Sequence, residues 1–208
     1  MNINLLHVVV RLTKRCSWGN YNEQMKEYHD TEWGVPVHDD QLLYEFLILE
    51  GSQAGLSWNI ILQKRESFRK AFDNFDYKKI AHYNEIKIEE LLNNTKIIRN
   101  KLKIGAAISN AKALLEIQRE CGSFDEFIWN FIDKKPIINK FKTLDELPSK
   151  TEKSEEISKV LKKRGFKFVG PTIIYSFMQA IGMTNDHTTD CFRYEEINHI
   201  INENTNLK

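Results

Sequence analysis

Between Lys162 and Cys191 the chain reads KKRGFKFVGPTIIYSFMQAIGMTNDHTTDC, and this stretch limits what can be built around it. Lys159, Lys162, Lys163 and Arg164 suit the last turn of a helix, and Gly165 supplies the left-handed residue just past it. Phe166 to Val169 leaves room only for a tight turn. Gly170-Pro171 then opens a second helix, because Pro at the first helical position sacrifices no hydrogen bond. Two helices joined in this way leave unpaired backbone N–H groups and a helix N-terminus at the surface, which together attract an anion. With cations alongside, a phosphodiester fits. The plainer reading is a helix–turn–helix corner whose lysines face solvent.

The rest of the chain follows helical spacing. Asp40 can cap a helix carrying Leu42, Leu43, Phe46, Leu47 and Leu49. A second helix is expected from Ser57 to Phe72, short segments near Asp76 and Glu85, and a long helix over about 97–118. Ser123-x-x-Glu126 and Thr143-x-x-Glu146 match the capping-box pattern, whereas 148–156 reads as a surface loop. Alternation of period two is almost absent, so the fold class is all-α. A chain of 208 residues is long enough for a real core in one domain or two, and no repeat or linker divides it.

A formal net charge of +1 confines any nucleic-acid face to a local patch. The apolar run LLHVVV near the N-terminus is far too short to span a membrane, and reads as a loose extension or a short strand. Three cysteines at 16, 121 and 191 make no disulfide framework and fit a reducing, cytoplasmic location. Cys121 belongs to no motif and reads as a packing residue.

Two clusters carry chemistry. His187 and Cys191 stand four apart, so one helical turn or a tight loop aims both at one point. Cys16 and His29, from the other end of the chain, would complete a tetrahedral Cys2His2 zinc set with no open position, which is a structural site. An ordinary buried cysteine with unrelated histidines is the alternative. In the second cluster Leu43, Phe46, Leu47 and Glu50 fall at helical spacing, which puts Glu50 on a stripe that otherwise faces the core. A carboxylate there must be paired, protonated or lining a cavity. Trp18, Tyr21, Tyr28, Trp33 and Trp58 all lie in the first 58 residues. Aromatic planes around a buried carboxylate suit a flat, cationic heterocycle. The alternative is that the aromatics are core and Glu50 pairs with Arg65 or Arg69.

Cys-x-Trp at 16–18, YHDTEWGVP at 28–36, LEGSQAGLSW at 49–58 and KRGFKFVGPTIIYSFMQAIG followed by NDH up to 187 together resemble the 3-methyladenine DNA glycosylase I family. The resemblance covers residues 15–194, with 1–14 left as an N-terminal extension and 195–208 as a tail. It implies a helix-hairpin-helix glycosylase fold, with the motif at about 157–182 and one structural zinc on Cys16, His29, His187 and Cys191. It also implies base recognition by Glu50 and Tyr28, stacking by Trp58, and an aromatic wall completed by Trp18 and Trp33, with Tyr21 beside them. Gly55 and Leu56 would approach the gap left by an extruded nucleotide, and Phe166, Lys167, Val169, Gly170 and Thr172 would meet the DNA backbone.

The activity implied is hydrolytic excision of 3-methyladenine from alkylated double-stranded DNA by a monomer, with the free base as product and no lyase step. Methylation at N3 makes the purine cationic and its glycosidic bond weak, so Glu50 needs to select the base more than to protonate it. Asp186 is expected to orient a metal ligand. A non-catalytic DNA-binding module is the second reading. A zinc deaminase is disfavoured because no His-x-Glu with Pro-Cys-x-x-Cys is present.

Overall fold

The computed structural model describes residues 13–206, and LLHVVV lies outside them. In chain order the helices are α1 (Glu23–Thr31), α2 (Asp40–Gln53), α3 (Trp58–Ala71), α4 (Tyr77–Ile80) and α5 (Glu85–Asn93). Then follow α6 (Lys101–Cys121), α7 (Phe124–Trp129), α8 (Glu152–Lys163), α9 (Pro171–Ala180) and α10 (Phe192–Asn206). Two short strands, β1 (Ile137–Ile138) and β2 (Thr184–Asn185), pair in parallel with Ile137 opposite Thr184. Two residues per strand are too few to print an alternation in the sequence. The chain is all-α, as its periodicity implied.

Helix α2 is the centre, because a segment that is apolar almost all round has to be covered on every side. Leu43 through Ser52 are all buried, and α3, α6, α7 and α9 pack around them. Its cap is Asp39, which accepts from Leu42 N at 2.8 Å, and not Asp40. The Asp40 carboxylate instead accepts from Phe124 N at 2.9 Å and Asp125 N at 2.7 Å, and so caps α7 from across the core. Ser57, Asp76 and Ser123 cap their helices as expected. At Thr143 only a 3-10 turn forms, with no side-chain cap.

One sequence boundary moves. Residues 152–156 are the first turn of α8 and not a loop, with Thr151 and Ser154 exchanging capping hydrogen bonds. Residues 195–206, beyond the resemblance, continue α10, whose Ile197 and Ile201 are buried. Cys121, read as packing, is exposed at the end of α6.

The charges under α2 form a network with Arg65 and Glu45 buried and Glu32 and Arg69 part-exposed. Arg65 Nε meets Glu45 Oε1 at 2.6 Å, Arg65 Nη1 meets Glu32 at 2.7 Å, and Arg69 adds a second contact to Glu45 at 2.8 Å. Removing one member of such a network leaves a charge desolvated and unpaired. Arg65→Ala is expected to lose about 3 kcal/mol in urea unfolding, and a loss below about 1 kcal/mol would mean that Arg69 alone satisfies Glu45.

Candidate functional site: an aromatic cavity beside a buried Cys/His cluster

Both arginines that could have neutralised Glu50 are committed to Glu45. Glu50 is 4% exposed, and its Oε2 has no hydrogen-bond partner among the described residues. Burial pushes this carboxyl up to about 8, from an ordinary value of 4.5. It borders a cavity of about 360 Å³ together with Trp18, Tyr28, Trp33 and Trp58. The rings form a continuous wall: Trp18 to Trp33 is 5.0 Å between centroids, Trp18 to Tyr28 6.2 Å, and Tyr28 to Trp58 5.3 Å. The Trp58 indole N–H is also buried without an acceptor. Burial, then the nearby Glu50, holds the Tyr28 phenol above its usual range. A ligand offering flat surface, positive charge, an N–H donor for Glu50 and an acceptor for the Trp58 N–H would satisfy what these groups lack.

Sequence reasoning had not found the rest of the lining: Met25, Gln53, Leu144, Leu147, Ser176 and Gln179. Leu144 and Leu147 arrive because Ile137 N and Asn139 N bond to Met183 O and Asn185 O, laying the segment after β1 beside β2. Tyr21 is corrected. It is 73% exposed, and it is not among the residues bordering the cavity.

The hairpin between α8 and α9 is built as its glycines and proline required. Gly165 has φ +88°, and Pro171 is the first residue of α9. Asn110 of α6 clamps the backbone of Lys167, donating to its carbonyl at 3.0 Å and accepting from its N–H at 2.8 Å. Phe168, with φ +54°, turns back onto α2 at Gly51, where an added Cβ would lie 3.2 Å from the Phe168 Cβ. Among the described residues nothing accepts from the N–H groups of Phe168, Val169 or Gly170. Lys167 and Thr172 are exposed. Phe166 and Val169 are buried side chains, Phe166 stacked on Phe124 at 6.0 Å, so these two can meet DNA only through their main chain.

From α6, Lys103 donates to Ser52 O and Ala54 O, both at 2.8 Å, and closes the C-terminal end of α2. The loop that follows turns on Gly55, with φ +78°, and leaves Leu56 38% exposed.

Behind the aromatic wall, Cys16, His29, His187 and Cys191 are all buried, with ligand atoms within 4.8 Å of one another. This group could hold a metal ion. Each ring presents one nitrogen to the cluster and has the other engaged: His29 Nδ1 with Asp30 at 2.8 Å, and His187 Nε2 with the Trp33 carbonyl at 3.0 Å. Asp30 is itself held by Arg15 at 2.7 Å. Asp186 does not take the expected place beside His187. Its carboxylate accepts from Tyr175, Gln179, Thr184 and Asn139 instead.

Comparison with known proteins follows the same lines. Residues 18–194 match the family model described as methyladenine glycosylase. A DNA-3-methyladenine glycosylase of Haemophilus influenzae is 48% identical over 181 residues, covering 86% of this chain and 97% of that protein. The crystal structure of a 3-methyladenine DNA glycosylase I superposes with a TM-score of 0.84 at 50% identity, over 86% of this chain and 98% of that one. Another glycosylase of that name, a variant crystallised in complex with 3-methyladenine, superposes with a TM-score of 0.83 at 32% identity, over 86% and 96% of the two chains.

Proposed function

The chain belongs to the methyladenine glycosylase family, and we propose that it is a monofunctional DNA repair glycosylase that excises 3-methyladenine from alkylated duplex DNA. The observation that carries this reading is the unpartnered Glu50 in its aromatic cavity. An enzyme acting on a base within a duplex has to take it out of the stack, and a damaged, poorly paired base costs least to extract. The unpaired N–H groups at Phe168 to Gly170, with Lys167 and Thr172, would receive phosphates. Leu56 at the Gly55 turn would fill the gap in the stack.

In the cavity, Trp58 and the other rings replace base stacking, and Glu50 accepts from the amino edge of the base. The positive charge of the methylated purine favours the ionised form of Glu50, so its proton would pass to solvent as the base binds. The C1′–N9 bond then breaks with its electrons going to the purine, which leaves uncharged. Water adds to the sugar C1′ and releases a proton, giving an abasic site. Among the described residues that border the cavity there is no lysine, and the step proposed is hydrolysis by water.

Zinc fits the Cys/His cluster. The Sγ–N separations of 3.5, 3.6 and 3.7 Å are close to the edge of about 3.6 Å expected for tetrahedral zinc on mixed sulfur and nitrogen ligands. Four protein ligands leave it no position for water, so its chemistry is structural: it would bind Cys16 and His29 to His187 and Cys191 directly behind Trp18 and Trp33. Among the described residues no helix is long and apolar enough to cross a membrane. The enzyme would work as a monomer in the cytoplasm, where its DNA substrate lies.

The test is chromatography of free bases released from methylated duplex DNA. Release of mainly 3-methyladenine is expected. Mainly 7-methylguanine would overturn the specificity, and no base from folded, metal-loaded protein would leave only a DNA-binding module.

A further inference from the structure

Gln179 borders the cavity but has been given no role so far, and the way its amide is held gives it a definite chemical polarity. Its Nε2 lies 2.8 Å from Asp186 Oδ2. Asp186 is 1% exposed and also receives Tyr175 Oη on that oxygen, with Thr184 Oγ1 at 2.7 Å and Asn139 Nδ2 at 2.6 Å on the other. All four of these partners donate to the Asp186 oxygens, and the amide meets them through its nitrogen end. The oxygen end then points away from Asp186, and among the described residues no donor reaches it. The backbone is fixed as well, since Gln179 O accepts from Gly34 N at 3.1 Å, next to Trp33 of the wall.

We propose that the Gln179 amide oxygen is a specificity-determining acceptor of the cavity, and that Asp186 is the positioning residue that keeps it turned inward. This rests on the glycosylase reading above. With Glu50, it gives the cavity two acceptor oxygens. The amino group of a methylated adenine carries two N–H donors that can meet both. A methylated guanine has a carbonyl oxygen at the same ring position, and its lone pairs would face an acceptor. Gln179 therefore selects against 3-methylguanine, whose charge and ring shape would otherwise let it share the aromatic wall.

Gln179→Met tests this, since it keeps side-chain length and the Gly34 backbone contact but removes the acceptor. Release of 3-methyladenine and 3-methylguanine would be measured as kcat/KM for each, with binding of both free bases followed by tryptophan fluorescence. The preference for 3-methyladenine should fall roughly threefold to tenfold in both measurements, the range for one hydrogen bond in a buried site. Equal losses for the two bases, or no change, would overturn the assignment. Asp186→Asn should lower the same ratio, and adding Gln179→Met to it should lower the ratio no further. Independent, multiplying losses would remove the positioning role of Asp186. A wild-type protein that released neither base would defeat the glycosylase reading itself, whereas an active wild type with an unchanged ratio in Gln179→Met defeats this inference alone.

Discussion

Glu50→Gln should lower 3-methyladenine excision by about two orders of magnitude while making the empty protein more resistant to unfolding as pH rises. Glutamine keeps an oxygen acceptor of nearly the same shape but not the negative charge, and a charge-assisted contact with a cationic base in a dry cavity is worth on the order of 3 kcal/mol. The stability effect has the opposite sign. The carboxyl is raised from 4.5 to about 8 in the folded protein, so the folded state holds its proton over a range in which the unfolded state has lost it. Wild type therefore loses stability relative to Glu50→Gln as pH climbs from 4.5 to about 8, by at most roughly 1.4 kcal/mol per pH unit, and no further above that. Melting both proteins from pH 5 to 9 checks this. A gap that does not change with pH would show that Glu50 does not titrate in the window, and undiminished excision would remove it from the base site.

Loss of the metal should be nearly as severe, and should reach activity through structure. Wild type is expected to carry one zinc per chain by elemental analysis, and Cys191→Ala none. Opening a structural site that ties two distant segments should cost several kcal/mol, which for a chain of this size lowers the melting midpoint by about 10 °C or more. Cys121→Ala is the control: its thiol is exposed and outside the cluster, so metal content and midpoint should stay put. A Cys191→Ala protein that melts with wild type would show that the four side chains are only packed together.

The parts of the site legible in the sequence were those where a residue type was in the wrong place for a bland role. Glu50 stood on an apolar stripe, and Gly165, Gly170 and Pro171 punctuated the hairpin. The cysteines and histidines were few enough to be grouped across the whole chain. The remainder was written in ordinary residues. Leu144, Leu147 and Ser176 reach the cavity through a two-residue strand pair and the face of α9, and nothing in their own spacing points there. Tyr21 shares the composition of its neighbours but sits at the edge of a 3-10 turn whose other side faces the core. The start of α8 was hidden because its first turn is almost all charged, and its capping box carries Ser154 where a glutamate is the usual signal. Asp39 and Asp40 are adjacent acids of equal capping propensity, and only the position of α7 decides between them.

On α6, Asn110, which grips the hairpin at Lys167, stands seven positions after Lys103, which grips the carbonyls before Gly55. At the rise of an α-helix the two grips stand about 10 Å apart on one rod. Phe168 wedged on Gly51 adds a second brace, to the helix that carries Glu50. The surface that would hold the phosphates and the loop that would enter the stack are thus braced on the same two helices. With both surfaces braced in this way, the local softness of the nucleic acid is expected to govern how readily a lesion is delivered to the cavity.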